Sequence, residues 1–270
     1  MNENYKMEFI EGCKTRASFS GGKDSAAMVI ILLQKGYPLD SVDFIDSEWE
    51  YPETYEYIDK FEKYIFENWG MRVNKLTLKE DWKFERWFYG KYRYGKNKGI
   101  VRGFPRVLGH CYLSRQKGRT LDRYDKKAQR YLGIGWNEKH RVGKNPMLLY
   151  PLVEWKITED GCVQFLRDIG LYPKHKNYYT RQGCFWCPKQ SKKSAYSLYI
   201  RHPDLWEQLK KMEKESPRGW NLPGRETKDV EKNVANDLIS GKINLENFLD
   251  DKTEKEIEQT RKRILKGKTP

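Results

Sequence analysis

Six consecutive residues, Ser20-Gly21-Gly22-Lys23-Asp24-Ser25, gather groups suited to an oxygen-rich anion. Two adjacent glycines let the backbone approach a ligand and present N–H donors with no side chain in the way. Ser20 and Ser25 add hydroxyls and Lys23 a full positive charge. An apolar run on either side makes this a strand-to-helix turn, so a helix N-terminus adds its partial positive charge. Pyrophosphate is the natural ligand of such a nest. The glycine spacing fits neither the P-loop with its terminal Lys-Ser/Thr pair nor G-x-G-x-x-G. The competing reading is an ordinary strand-to-helix turn with a capping serine.

Sulfur is the second source of chemistry. Cys184-Phe185-Trp186-Cys187-Pro188 is a C-x-x-C turn after Gly183. Two thiolates at that spacing reach one metal ion, and the turn frees N–H groups to stabilise sulfur charge. Redox thiols or packing are the alternatives. Cys13 has no partner at useful spacing and reads as structural. His110, His140, His175 and His202 are scattered, without an H-E-x-x-H pair, and read as surface or packed residues.

These residues need a frame. Residues 15–20 read as a strand, 26–33 as a buried helix, 41–46 as a second strand and 71–78 as a third. Pro52 suits the first turn of a helix over 53–69 that Gly70 ends. Strands alternating with helices predict an α/β domain with a doubly wound parallel sheet. A further helix is expected over 111–128 and a fourth strand over 130–135. Thr158-Glu159-Asp160 reads as a helix start and Gly170 as its end. Between 81 and 109 the pattern changes: Trp82, Phe84, Trp87, Phe88, Tyr89, Tyr92 and Tyr94 interleave with Lys83, Arg86, Lys91, Arg93, Lys96 and Lys98. This stretch reads as an inserted lid. The expected division is a nucleotide-binding domain over 1–150 carrying that insertion, and a smaller, helical, cysteine-bearing subdomain over 151–270. In the latter, His202-Pro203 precedes an amphipathic helix with Leu205, Trp206 and Leu209, expected to pack over the C-x-x-C region.

The formal charge of +14 implies an anionic partner: nucleic acid, nucleotide or membrane surface. No apolar run is long enough to cross a bilayer, and the first ten residues carry Glu3 and Glu8 rather than a signal-peptide core. A cytoplasmic protein is expected, and in it five cysteines, an odd number, argue against a disulfide framework.

The loop resembles the PP-loop of ATP pyrophosphatases, which cleave ATP between the α and β phosphates. Other segments resemble the phosphoadenylylsulfate (PAPS) reductase family and its adenine nucleotide α-hydrolase-like fold. They are Val42-Asp43-Phe44-Ile45-Asp46-Ser47 with Tyr51-Pro52-Glu53-Thr54-Tyr55, then Gly133-Ile134-Gly135-Trp136-Asn137-Glu138 with Arg141, then Tyr150-Pro151-Leu152-Val153-Glu154-Trp155 with Thr158-Glu159-Asp160. Gly135 stands where the family usually has an arginine. The intact SGGKDS and the lack of a cysteine after Cys187 favour ATP over PAPS and weigh against sulfite formation. The resemblance implies ATP with Mg2+ at Ser20, Gly21, Gly22, Lys23, Asp24, Ser25 and Asp46, with Lys23 and Asp24 catalytic. It sets Cys111, similar to the family's Arg-x-Cys-Thr segment, and Cys162 beside Cys184 and Cys187 as ligands of a four-iron–four-sulfur cluster or Zn2+; Cys162 also reads as a buried small hydrophobe. The expected activity is an ATP-dependent, sulfurtransferase-like transferase. It would adenylylate an acceptor, release pyrophosphate and pass sulfur to nucleic acid (tRNA or DNA) from a sulfur donor protein. The alternatives are an APS/PAPS reductase and a non-catalytic, ATP-bound nucleic-acid-binding subunit.

Overall fold

The computed structural model describes residues 5–105, 111–180, 183–221 and 225–266. In chain order the elements are β1 (Thr15–Phe19), α1 (Lys23–Gln34), β2 (Ser41–Asp46), α2 (Pro52–Trp69), β3 (Val73–Thr77), α3 (Phe84–Phe88), α4 (Tyr112–Tyr124), β4 (Gln129–Leu132), β5 (Leu148–Leu149), α5 (Pro151–Glu154), α6 (Glu159–Asp168), α7 (Lys192–Arg201), α8 (Pro203–Glu215), α9 (Thr227–Ile239) and α10 (Glu254–Lys266). None of the described helices is long and apolar enough to cross a membrane.

Contacts divide the chain into two compact units. The first comprises Met1–Lys79 and Arg115–His175. Its five strands form one sheet in the order β3-β2-β1-β4-β5, every pair parallel. The expected doubly wound α/β fold is therefore present, flanked by helices. Along β1, Ala17 and Phe19 are buried, and the Phe19 ring stacks on Phe61 of α2 at 4.3 Å. Arg16, one step out of phase, lies on the opposite face. There it pairs with buried Asp43 at 2.9 Å, and its guanidinium lies over the Tyr124 ring of α4. α1 is apolar nearly all round and buried from Ser25 to Leu32, as a helix enclosed on every side must be. Leu152, Cys162, Leu166 and Leu171 join the same core, which holds residues 151–175 with the sheet rather than with the C-terminal residues.

The second unit comprises Glu80–Ser114 and Lys176–Pro270. Sequence alone suggested a lid over 81–109; its apolar rings instead build this unit's core. Phe84, Phe88 and Phe104 are buried, and Phe84 lies flat on Trp186 at 3.6 Å. Trp220 donates its indole N–H to the Trp186 carbonyl at 2.7 Å and meets Trp206 of α8 edge-on. α7 is buried from Ser194 to Ile200, and Arg263 of α10 donates to the Tyr199 and Ile200 carbonyls near its end.

Candidate functional site

The order β3-β2-β1-β4-β5 changes direction at β1: the connection through α1 leads to β2 on one side, and β4 lies on the other. In open parallel sheets the crevice at the carboxyl ends of strands at such a switch point is where ligands bind. The phosphate loop leaves β1 there. Gly21 takes φ +74°, which favours glycine, and a Cβ on it would stand 3.2 Å from Thr54 Cγ2 in the first turn of α2. The Ser25 hydroxyl contacts the Gly22 carbonyl at 3.0 Å, the Ser20 amide at 3.2 Å and the Ser20 hydroxyl at 3.1 Å. Gly22 is the N-cap of α1, and no side chain caps that helix. The helix N-terminus therefore faces the loop without the serine cap of the competing reading.

The segment after β4 closes the loop from the side. A Cβ on Gly133 would lie 2.8 Å from both Cα and N of Ser25, so two backbones touch there. Two residues on, a Cβ on Gly135 would lie 3.0 Å from Asn137 Oδ1. The bare position 135 thus leaves room for a reciprocal pair: Asn137 Nδ2 donates to Glu159 Oε1 at 3.2 Å, and the Glu159 amide donates to Asn137 Oδ1 at 3.0 Å. Glu159 opens α6, whose N-cap Thr158 accepts from the Gly161 amide.

Lys23 does not point into open solvent. Its ammonium donates to Asp24 Oδ1 at 2.7 Å and to Glu159 Oε2 at 2.8 Å. Burial pulls its pKa down, but the hydrogen bonds and charges of the two carboxylates more than offset this, leaving it above the ordinary lysine value. Cys162 lies in the core behind this cluster; burial first, then the charge of Asp24, push its thiol up to about 12, and it stays protonated at neutral pH. Asp46 accepts from the Glu48 amide at 2.7 Å and the Tyr55 hydroxyl at 2.8 Å through one oxygen, so much of its hydrogen-bonding capacity serves the turn after β2. In that turn Glu48 takes a positive φ, and Glu50, buried, accepts from Ser47 and from Lys117 of α4 at 2.6 Å. Neither Glu159 with Asn137 nor Glu50 with Lys117 was identified from sequence as part of the site.

The cysteines divide between the units: Cys162 belongs to the first, Cys111, Cys184 and Cys187 to the second. The Cys187 amide donates to the Cys184 carbonyl at 3.0 Å, so C-x-x-C forms a tight turn anchored by Trp186. Among the described residues no group of three or more His, Cys, Asp or Glu side chains is placed to hold a metal ion. Among the described residues the donor set of an iron–sulfur cluster or a closed zinc site is thus not assembled. His110 lies outside the described residues.

The basic insertion separates into buried rings and an exposed hairpin. Tyr92 donates its amide to the Ile100 carbonyl at 3.0 Å, Gly99 to Tyr92 at 2.9 Å and Arg102 to Gly90 at 3.0 Å. Lys91, Arg93, Lys96 and Lys98 are exposed on it, and Tyr94 is 84% exposed. On α4 in the first unit, Arg115, Arg119 and Arg123 are exposed, whereas Lys117 is committed to Glu50.

Residues 14–102 match the model of the phosphoadenosine phosphosulfate reductase domain. The chain is also similar to two proteins of Methanocaldococcus jannaschii that carry no assigned activity. Uncharacterized protein MJ0066 is 25% identical over 219 residues, 76% of this chain and 42% of the relative. Uncharacterized protein MJ0973 is 22% identical over 217 residues, 75% of this chain and 48% of the relative. The chain spans less than half the length of these relatives.

Proposed function

We propose that this chain, which carries a phosphoadenosine phosphosulfate reductase domain of the adenine nucleotide α-hydrolase superfamily at residues 14–102, is an ATP pyrophosphatase-type transferase that adenylylates an oxygen of a nucleic-acid acceptor and replaces it with sulfur. One observation carries the reading: a Ser-Gly-Gly-Lys-Asp-Ser loop between β1 and the N-terminus of α1, at the switch point of a parallel sheet.

In this reading the loop N–H groups and the serine hydroxyls hold the β and γ phosphates. The acceptor oxygen attacks the α-phosphorus, the α–β bond breaks and pyrophosphate leaves. Lys23, released from its carboxylates, stabilises the charge that develops on the leaving group. A sulfide-equivalent nucleophile from a sulfur donor then displaces AMP. Asp24 and Glu159, which already share one ammonium cation, are the carboxylates that would hold a Mg2+ ion bound with the nucleotide, and the ion would neutralise phosphate charge. Cys184 and Cys187, paired on one turn, are assigned the handling of sulfur.

A nucleic-acid acceptor is favoured by the exposed hairpin, where four cations and Tyr94 provide phosphate contacts and a ring for stacking. The test is product analysis. ATP with tRNA or DNA should yield AMP and pyrophosphate; ADP and phosphate would refute the assignment.

A further inference from the structure

Lys23, Asp24 and Glu159 together sum to one negative charge at the mouth of a loop built for anions. Lys23, the cation that should meet a phosphate, is held at 2.8 Å by a carboxylate 136 residues away in sequence. That carboxylate is itself fixed in place, by the Asn137 amide on one oxygen and by its own backbone N–H to Asn137 Oδ1. Nothing in the capping of α6 requires this: Thr158 already satisfies Gly161, and Asp160 supplies a second acid in the first turn. Glu159 is placed to act on the loop rather than on its own helix.

We infer that Glu159 is a charge gate that holds Lys23 away from bare anions and couples nucleotide binding to a divalent cation. An anion arriving alone must pull Lys23 off Glu159 and leave that carboxylate facing added negative charge. An anion arriving with a divalent cation brings the charge that takes over the carboxylate as Lys23 turns to the phosphates. The loop therefore selects the metal complex of a polyphosphate over free phosphate or pyrophosphate. Bare position 135 belongs to the same device, because a Cβ there would crowd Asn137 Oδ1 and the Glu159 backbone.

The inference rests on reading the loop as a nucleotide site, and the experiment separates the two. Inorganic pyrophosphate is titrated calorimetrically into the whole chain with EDTA and with excess Mg2+, for wild type, Glu159→Gln and Glu159→Ala; two variants guard against one failing to fold. Wild type should bind metal-free pyrophosphate weakly and gain strongly from Mg2+. Losing the gate should tighten metal-free binding about fivefold, the equivalent of one partly exposed ion pair, and shrink the gain from Mg2+. If wild type converts ATP to AMP and pyrophosphate yet both variants bind metal-free pyrophosphate no more tightly, the gate alone is overturned. If wild type binds neither ATP nor pyrophosphate under any condition, the nucleotide reading falls and the gate with it.

Discussion

Replacing Gly133 by alanine tests whether the end of β4 sets the position of the phosphate loop. The added Cβ would stand 2.8 Å from Ser25 Cα and N and 3.1 Å from the Asp24 carbonyl carbon. Carbon–carbon contacts are favourable at about 3.5–4.0 Å, so a gap of roughly 0.7 Å or more must open. The clash is with backbone on both sides, and α1 behind it is fully buried at Ala26 and Ala27, so no flexible side chain can give way. Overpacking of this kind costs about 1–3 kcal/mol. The displaced atoms are those of the helix N-terminus that meets the phosphates. Loss of one charge-assisted hydrogen bond, on the order of 1.5–3 kcal/mol, should weaken ATP by roughly tenfold or more. Gly135→Ala is the comparator: its added Cβ would lie 3.0 Å from Asn137 Oδ1 and 3.3 Å from the Glu159 amide nitrogen, looser than the 2.8 Å backbone contacts at Gly133, so its cost in stability should be smaller. Urea unfolding read by tryptophan fluorescence, together with ATP titration, measures both effects. A Gly133→Ala protein with unchanged unfolding midpoint and unchanged ATP affinity would refute the packing argument.

Lys23→Ala should weaken ATP by about 1.5–3 kcal/mol and suppress pyrophosphate release while leaving the circular dichroism spectrum intact; unchanged affinity in a titration would remove the loop from the site. Replacing Lys91, Arg93 and Lys96 together should flatten the log–log salt dependence of nucleic-acid binding without altering ATP affinity, each lost contact being worth about −0.7 on single strands or −0.9 on B-DNA. Absence of binding to tRNA, single-stranded or duplex DNA at low salt would leave a small acceptor. Cys184→Ser and Cys187→Ser should each abolish sulfur incorporation and spare ATP cleavage, whereas Cys13→Ser should spare both; a sulfur-competent Cys184→Ser enzyme would end the assignment. Burial raises the Cys162 thiol and the Tyr57 and Tyr131 phenols, so folding favours their neutral forms. Their stabilisation is complete below about pH 9 and declines as the pH rises toward about 12; a urea midpoint flat from about pH 8 to about pH 11 would contradict this.

The parts of the first unit that were legible are those fixed by local pattern. β2 falls on the expected 41–46, and α2 begins at Pro52, because a short run holding Val42, Phe44 and Ile45 and a first-turn proline are local signals. α1 was legible as a buried helix because it is apolar around its whole circumference. β5 was not, because two residues, Leu148 and Leu149, carry no period. The aromatic stretch was misread for a related reason. Phe84 and Phe88 are one helical turn apart and face a core, but the ring that completes that core, Trp186, lies about a hundred residues further on. Interleaved cations, which belong to the exposed surface and hairpin, hid the buried stripe.

The candidate site shows the same limit in sharper form. The loop itself was readable because its ligand-binding groups are consecutive. Its electrostatic state was not, because Lys23 is paired with Glu159 as well as with its neighbour Asp24, and Glu159 reads from sequence only as an acidic residue in a helix first turn. A signal existed in the missing side chain at position 135, three residues before the end of the Gly133–Glu138 motif. The structure gives the space at this bare position to Asn137 and Glu159, and Glu159 brings negative charge to the loop. Composition alone would make this strongly basic chain a generic binder of anions. Locally, at the one place where a phosphate must be discriminated, the side chains around Lys23 are net acidic, so affinity there depends on what accompanies the phosphate and not on the overall charge.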